Sequence, residues 1–210
     1  MTTNYDLQRN AIRAASSYKT AEPVKAQKFI TPVGRASFPS LHEPRNFKGE
    51  GPLKYSVGLF LKVDDLLASG LGELVEKLAQ DSGFNVPTKR GGKEIPAIWH
   101  NPIRFRDEIK KLPTQLEGMD VCLFTAKTGE QYPPRVVGPD GHPYDPALRR
   151  GGDFIRVSMQ IKPWKTQMGA GIAFYLTGAQ LARHATETEQ FSSGEDSFER
   201  LEGSALSDEW

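Results

Sequence analysis

The sequence predicts a small, mainly β barrel, closed or partly open, with at least one helix. Short segments in which apolar and polar residues alternate recur along the chain, and turns rich in glycine and proline separate them. One longer stretch has its leucines at helical spacing instead. The chain has 210 residues, of which 38% are hydrophobic, and this is enough for one domain with a buried core.

Alternation with a period of two residues predicts strands at 29–38, 55–62, 121–126, 133–137, 154–162 and 171–177. The pattern is clearest in the second and fifth of these segments. Val57 and Val157 belong to apolar rows that face inward, whereas Phe60 and Arg156 belong to rows that face outward. Pro39 is expected to close the first strand, and a loop rich in proline, glycine and charge follows it at 43–52.

A single core-packing helix is predicted between the second and third strands. Asp64 is the expected N-cap, the helix is expected to end near Ser82, and its apolar face is formed by four leucines: Leu67, Leu71, Leu74 and Leu78. The segment 88–93, which holds three basic residues and two glycines, is expected to be a flexible basic loop.

Charge divides the chain into three parts. Residues 1–28 form a basic N-terminal arm, residues 29–185 form the barrel domain, and residues 186–210 form an acidic tail that is expected to be disordered. From residue 187 onward eight acids face one base, Arg200, whereas residues 1–186 carry a net charge of +8. A basic body with an acidic tail is typical of proteins that work on nucleic acids, although an acidic tail can also serve solubility alone.

Several classes of site are absent from the sequence. It contains no phosphate-binding loop, no dinucleotide fingerprint and no pair of zinc ligands, so we expect no cofactor, no metal and no catalytic residue. The acids at Asp107 and Glu108 are better explained by a solvated surface than by a nuclease centre. One cysteine, Cys122, and the lack of an apolar signal or membrane-spanning segment favour the cytoplasm.

Cations interleaved with aromatic residues favour binding of single-stranded nucleic acid, because cations follow the phosphates and ring faces stack on unpaired bases. For any one aromatic the alternative is core packing, and for any one arginine it is an ordinary solvated surface. The candidates for contact with DNA are Arg35, Phe38, Lys54, Tyr55, Lys62, Arg104, Arg106, Arg150, Phe154, Arg156, Trp164 and Lys165.

The chain ends with two acids and an aromatic residue, Asp208, Glu209 and Trp210. Such an ending can insert its ring into an apolar pocket of a protein partner while its carboxylates meet a basic rim. The same polyanion can also compete with DNA for the basic body. The alternative is that these residues are simply the end of a disordered tail.

Two stretches resemble a family of phage single-stranded DNA-binding proteins that was formerly classed as a domain of unknown function. The first is RASFPSL at 35–41, followed by Glu43-Pro44 and by GPLKYSV at 51–57. The second is GDFIRV at 152–157, followed by GAGIA at 169–173. Together they span residues 30–185 in layout, and the first stretch is the more specific.

The resemblance implies a five-stranded barrel of the oligonucleotide/oligosaccharide-binding (OB) type, related to the single-stranded DNA-binding proteins of T7-type phages. It implies a non-enzymatic role in phage DNA replication, recombination or repair, in the cytoplasm of the host, with the tail contacting replication or recombination proteins. The oligomeric state stays open between monomer and weak dimer. The alternatives are a phage recombination enzyme or nuclease, and a structural or interaction module that binds no nucleic acid.

Overall fold

The computed structural model describes residues 24–47, 50–84, 88–90, 93–95, 99–144, 151–166 and 169–191. Most of the predicted N-terminal arm, and the tail from residue 192 onward, therefore lie outside the described residues. The described part contains two α-helices, α1 (Val63–Ser69) and α2 (Leu71–Asp81), and two short 3₁₀ helices, Arg106–Glu108 and Thr114–Leu116. Its strands are β1 (Gln27–Ile30), β2 (Gly34–Phe47), β3 (Glu50–Lys62), β4 (Thr88–Arg90), β5 (Lys93–Ile95), β6 (Val121–Gly129), β7 (Arg135–Val137), β8 (Phe154–Thr166) and β9 (Gly169–Arg183).

Five strands close into a ring, which confirms the predicted OB-like barrel. The order around the ring is β8, β2, β3, β6 and β9, and the pairing of β8 with β9 closes it. β6 and β9 run parallel to one another, and the other neighbours in the ring are antiparallel. β1 pairs with residues 158–161 of β8, beyond the two residues of β8 that pair with β2, and β7 pairs with β9.

The inward rows predicted from the alternation form the core. Val57, Leu59 and Leu61 of β3 are buried, and so are the corresponding residues of β8. β6 and β9 contribute Phe124 and Phe174, whose rings meet edge to face with 5.1 Å between their centres. Because a strand turns alternate side chains to opposite faces, the other residues of these strands lie on the outside of the barrel.

The single predicted helix is two helices, because Gly70 interrupts it. Gly70 has a φ of 71°, which ends α1 and starts α2 in a conformation that other residues rarely adopt. The break changes the phase of the leucine pattern, so Leu66 is buried and Leu67 is 66% exposed. The predicted N-cap Asp64 is also wrong: β3 runs directly into α1 after Lys62, and Asp64 lies in the first helical turn, where negative charge is favourable.

Several strand boundaries differ from the prediction, and the predicted strand 29–38 spans the end of β1 and the start of β2, which are separate strands. Pro39 does not end the first strand, because the ladder between β2 and β3 shifts register between Ser37 and Ser40 and so accommodates the proline. The predicted loop at 43–52 is mostly strand, since β2 and β3 extend into it. The predicted flexible loop at 88–93 contains β4 and the start of β5, which pair with one another.

Within the described residues, no helix has the length and apolarity that crossing a membrane requires.

Candidate nucleic-acid interface

A row of cations and aromatics crosses the outside of the barrel over four strands. Lys127 of β6 and Tyr175 of β9 are neighbours in the parallel ladder, and both are on the exposed side of their strands. The Lys162 ammonium of β8 lies 5.3 Å from the centre of the Tyr175 ring, within the range of a cation–π interaction. Tyr175 is 42% exposed, so part of this ring is available to a ligand.

The row continues at both ends. On β3, Ser56 pairs with Lys127, and Lys54 stands two residues away on the same side of the strand. On β8, Trp164 follows Lys162 on the outer side and pairs with Gly171 of β9. We call the five residues Lys54, Lys127, Lys162, Trp164 and Tyr175 the basic strip.

Carboxylates are nearly absent from the strands that carry the basic strip. The segments that form β6, β8 and β9 contain no Asp or Glu. None of the three lysines of the strip is in an ion pair within the described part of the chain. The acids that the helices expose, among them Asp64, Glu73 and Glu76, lie on other elements. A polyanion is therefore attracted to the strip without first having to displace a carboxylate.

The other half of the outer face of β3 and β6 is covered. Phe60, which the alternation correctly turns outward, is buried in a second cluster together with Ile109, Leu116 and Val121. This cluster is formed by the segment that precedes β6, and Arg104 anchors the segment through two backbone hydrogen bonds with Leu123. The side chains of the candidates Arg104 and Arg106 are exposed on this covering segment, away from the ladder positions of the basic strip.

A short segment that begins at Arg183, the last residue of β9, and ends at Phe191 crosses the barrel, and we call residues 183–191 the strap. Arg35 holds it: its guanidinium donates to the carbonyl oxygens of Gly152 and Glu189. The same guanidinium lies 4.5 Å from the centre of the Phe154 ring and 5.0 Å from that of Phe191. Partial burial lowers the pKa of Arg35 from its ordinary value.

The strap is also fixed at its two ends. Arg183 makes a two-pronged ion pair with Glu189, at 2.7 and 2.8 Å, and this hydrogen bonding lowers the pKa of the Glu189 carboxyl. Phe191 packs edge-on against Phe60 with 5.7 Å between the ring centres. A side chain at Gly152 would meet the Glu189 carbonyl at 2.7 Å, so the close approach of the strap requires glycine there.

Beside the strap lies a buried carboxylate with its partners. Asp153 is fully buried and accepts hydrogen bonds from the Ala185 backbone at 2.8 Å and from His184 Nδ1 at 3.1 Å. The other ring nitrogen of His184 is 2.7 Å from the Tyr144 hydroxyl. These bonds satisfy the buried carboxylate and fix the start of the strap.

Phe38 is the most exposed of the large apolar residues that the structure describes. Its side chain is 89% exposed, and its backbone has a φ of 45°, which is strained for an aromatic residue. It lies at the register shift of β2, next to Pro39. A strained and exposed aromatic residue is unfavourable for stability alone, so it is a reasonable position for a contact with a ligand.

The predicted DNA-binding residues thus fall into separate groups. Lys54 and Trp164 belong to the basic strip, and Tyr55 and Lys165 follow them along the same strands. Lys62 is exposed at the end of β3. Arg35 and Phe154 contact one another under the strap, and Arg156 binds the side-chain oxygen of Gln180 at 2.7 Å. Four residues named from the sequence lie outside the described residues: Arg150, Asp208, Glu209 and Trp210.

Lys127 and Tyr175 are not among the DNA-contact residues predicted from the sequence. Lys127 directly follows the predicted strand end at Ala126, and Tyr175 alternates outward in the predicted strand 171–177. The sequence therefore indicates that each residue is on an outward position of its strand. It does not indicate that the two residues are close together, because their proximity depends on the parallel pairing of β6 with β9. Within the described residues, no group of three or more His, Cys, Asp or Glu side chains is arranged to hold a metal ion.

No protein-family model matches the sequence, and no curated protein is similar enough to be counted as a relative. Solved structures do match the fold. The single-stranded DNA-binding protein of bacteriophage Enc34, solved in complex with ssDNA, has a TM-score of 0.59 and 16% identity, and the match covers 80% of this chain and 98% of that one. A C-terminal truncation of the same protein gives a TM-score of 0.57 at 16% identity, over 80% of this chain and 97% of that one.

The single-stranded DNA-binding protein gp2.5 of bacteriophage T7 matches with a TM-score of 0.50 and 17% identity, over 77% of this chain and 94% of that one. At this level of identity the likeness shows a shared fold. Over most of its length, the fold of this chain is thus similar to that of phage single-stranded DNA-binding proteins.

Proposed function

We propose that this protein binds single-stranded DNA without strong sequence preference, through the basic strip and neighbouring aromatic residues. In this proposal Lys54, Lys127 and Lys162 neutralise phosphates, while Tyr175 and Trp164 stack on bases. Phosphates and ring faces are common to every nucleotide, so such contacts carry little sequence information. The protein acts without catalysis, metal or nucleotide cofactor, in phage DNA replication, recombination or repair in the host cytoplasm.

The basic strip is the observation that carries the proposal. It joins an exposed ring to three lysines that form no ion pair among the described residues, on strands whose segments are almost free of carboxylates. In OB-type barrels the outer face of the second and third strands, with the adjoining hairpin loops, is the usual place for oligonucleotides. Here those strands are β3 and β6, which carry Lys54 and Lys127. The fold likeness to a protein solved with ssDNA supports the same conclusion.

The acidic tail is proposed to compete with DNA for the strip and to recruit replication or recombination proteins through Asp208, Glu209 and Trp210. Phe191 packs on Phe60 of β3. Phe60 is six residues from Lys54 in the same strand, a distance of about 20 Å. The nineteen residues after Phe191 can extend to about 65 Å, so their length permits them to reach the strip. These nineteen residues contain six acids and one base, Arg200, so their negative charge is complementary to the positive charge of the strip.

The test is fluorescence anisotropy with labelled oligo-dT, compared with duplex of equal length over a series of salt concentrations. We expect tighter binding of the single strand and a log–log salt slope of several units, since each neutralised phosphate contributes about −0.7. Replacing Lys127 and Lys162 by alanine should reduce the slope by about 1.4. The control is Lys77→Ala, which removes an exposed cation of α2 that is paired with Asp81.

Each contrary result points to another function. Absence of binding at low salt would contradict the proposal and favour a protein-interaction module. Metal-dependent loss of an end-labelled oligonucleotide would reveal a nuclease.

Deletion of residues 192–210 should tighten DNA binding, and unchanged or weaker affinity would contradict competition by the tail. Light scattering of the same samples decides between monomer and weak dimer.

A further inference from the structure

The outer face that carries the basic strip continues onto β1, which lies outside the five-stranded ring. β1 pairs with residues 158–161 of β8, and Lys28 is the ladder partner of Gln160. Lys28 is the last residue of the predicted N-terminal arm, and its side chain is exposed. The next residue, Phe29, packs against the core, so the alternation along β1 turns Lys28 to the outside.

Lys28 is joined to the basic strip by an unbroken row of ladder partners. Gln160 of β8 pairs with Tyr175 of β9, and Tyr175 pairs with Lys127 of β6. The residues on either side of Gln160, Tyr175 and Lys127 along their strands are buried, so all three side chains are on the outer face. We call the four residues Lys28, Gln160, Tyr175 and Lys127 the cross-strand row.

The cross-strand row has the chemistry of a nucleotide path. It has a cation at each end, and a ring and an amide between them. Neighbouring strands lie about 4.8 Å apart, so the backbones of Lys28 and Lys127, three strands apart, are separated by about 14 Å across the face. The cations suit phosphates, and the ring suits a base. The Gln160 amide offers both an acceptor oxygen and donor hydrogens, so it can bond to the edge of any base.

The β1 end of the row is also free of opposing charge. Lys28 forms no ion pair within the part of the chain that the structure describes. Residues 24–42 contain no Asp or Glu, and neither do β8 and β9. An OB fold covers about 4–16 nucleotides, so phosphate contacts beyond the three lysines of the basic strip are expected.

We propose that bound single-stranded DNA crosses the strands along this row, and that Lys28 is the phosphate contact at its far end. The inference rests on the proposed function and extends it with a path for the DNA and with a contact on β1. In this path Tyr175 stacks on a base, and Gln160 bonds to the edge of a base.

The competing path follows β8 lengthwise, from Trp164 past Lys162 toward Arg156, and it does not reach β1. Arg156 is four residues from Gln160 on the same side of β8, which places it about 13 Å from the row. The row is favoured because the Arg156 guanidinium already donates to the side-chain oxygen of Gln180 at 2.7 Å. Lys28 has no such charge-holding partner and lies in line with the exposed ring of Tyr175.

The test is the anisotropy titration of labelled oligo-dT over a salt series, with the full chain. Lys28→Ala should make the log–log salt slope less steep by about 0.7, which corresponds to about fivefold weaker binding at about 0.1 M salt. Lys111→Ala, at an exposed position on the segment before β6, makes the same change in net charge and should leave the slope unchanged.

The outcomes separate this inference from the proposed function. A wild-type slope for Lys28→Ala, together with a reduced slope for Lys127→Ala, would overturn the path and leave the proposed function intact. A larger reduction for Arg156→Ala than for Lys28→Ala would also overturn it, because the DNA would then follow β8 lengthwise. Absence of DNA binding by the wild type would overturn the proposed function itself.

A pair of charge insertions provides a second readout. Ile30 is on the same side of β1 as Lys28 and is 62% exposed, so Ile30→Glu places a carboxylate beside the row. We expect it to weaken binding of oligo-dT at low salt by at least about fivefold, the effect of losing one phosphate contact. Leu67→Glu makes the same change on α1 at a position 66% exposed, and it should behave as wild type. Equal affinities of these two variants would count against a path over β1.

Discussion

Phe191 and Phe60 meet edge to face, with 5.7 Å between the ring centres and an angle of 90° between the planes. The contact joins the end of the strap to a residue of β3 on the outside of the barrel, which the segment before β6 also covers. A segment at the boundary of the predicted tail is thus part of the folded body. A deletion meant to remove the tail alone should begin after Phe191.

The Phe191→Ala variant should lower the free energy of unfolding by about 1–3 kcal/mol, less than the loss of a fully buried ring because Phe191 is half-buried. Urea unfolding followed by circular dichroism measures this. Tyr132→Ala, at a position 66% exposed, is the control and should change little. Equal stability of the two variants would show that the strap contributes nothing to the fold.

The Arg35→Lys variant keeps the charge and loses the forked geometry that reaches both Gly152 and Glu189. We expect a loss of about 1–2 kcal/mol and faster hydrogen exchange in residues 184–191. Arg45→Lys, an exposed arginine of the same strand, is the matched control. Unchanged exchange in the strap would contradict a structural role for Arg35.

Glu189 should make the strap sensitive to acid. Arg183 lowers the pKa of this carboxyl in the folded state below its unfolded value of about 4.3. A group of this kind contributes stability that is present above its unfolded pKa and is lost as the pH falls through its folded pKa. The difference in thermal midpoint between wild type and Glu189→Gln should therefore be larger at pH 7 than at about pH 3.

The matched control for this pH series is Glu73→Gln, an exposed carboxylate of α2 that has no ion pair among the described residues. Its midpoint difference should be small at both pH values. A difference for Glu189→Gln that does not depend on pH would show that the ion pair with Arg183 is unimportant.

Two variants at Phe38 can separate the effect of this residue on stability from its effect on DNA binding. At a φ of 45° glycine avoids the strain of a side chain, so Phe38→Gly should be about 1 kcal/mol more stable than Phe38→Ala. If the exposed ring stacks on a base, both variants should bind oligo-dT between about five- and 150-fold more weakly. Equal affinity of wild type and both variants would remove Phe38 from the interface.

Cys122 should be inert in the folded protein. It is fully buried, and burial raises the pKa of its thiol to about 11, so almost no thiolate exists near neutral pH. A thiol reagent at pH 8 should react only as fast as the protein unfolds and fully in denaturant. Rapid labelling without denaturant would mean that β6 opens readily.

The local part of the fold was predictable from the sequence. The inward rows of β3 and β8 follow from a period of two residues, which needs no knowledge of distant contacts. The position of Arg35 was not predictable, because its partners Gly152 and Glu189 are 117 and 154 residues away along the chain. The same reason hides the contact between Lys127 and Tyr175. The break at Gly70 was missed because a regular leucine pattern outweighed one glycine.

The types of residue in the candidate site were easier to predict from the sequence than the particular residues that form it. Cations next to aromatics were visible at Lys54 and Trp164, and both belong to the basic strip. The same pattern at Arg35 and Phe154 brings the two residues together under the strap. Composition does not distinguish a pair that awaits a ligand from a pair already engaged within the protein. The assignment of these residues to DNA contact stays a prediction.

The way in which the ring closes also affects how the chain folds. β2 meets β8 at two residue pairs, Gly34 with Ile155 and Arg35 with Phe154, and β6 meets β9 at Lys127 and Tyr175. The hairpins β2–β3 and β8–β9 need only short loops, whereas the first of these closures joins residues about 120 positions apart. Closing so long a loop costs entropy before any contact rewards it. If the two hairpins form first and the pairing of β2 with β8 forms last, the protein should refold in milliseconds to seconds, as closed β topologies do. The pairing of β2 with β8 should then also be the first place where the native barrel opens.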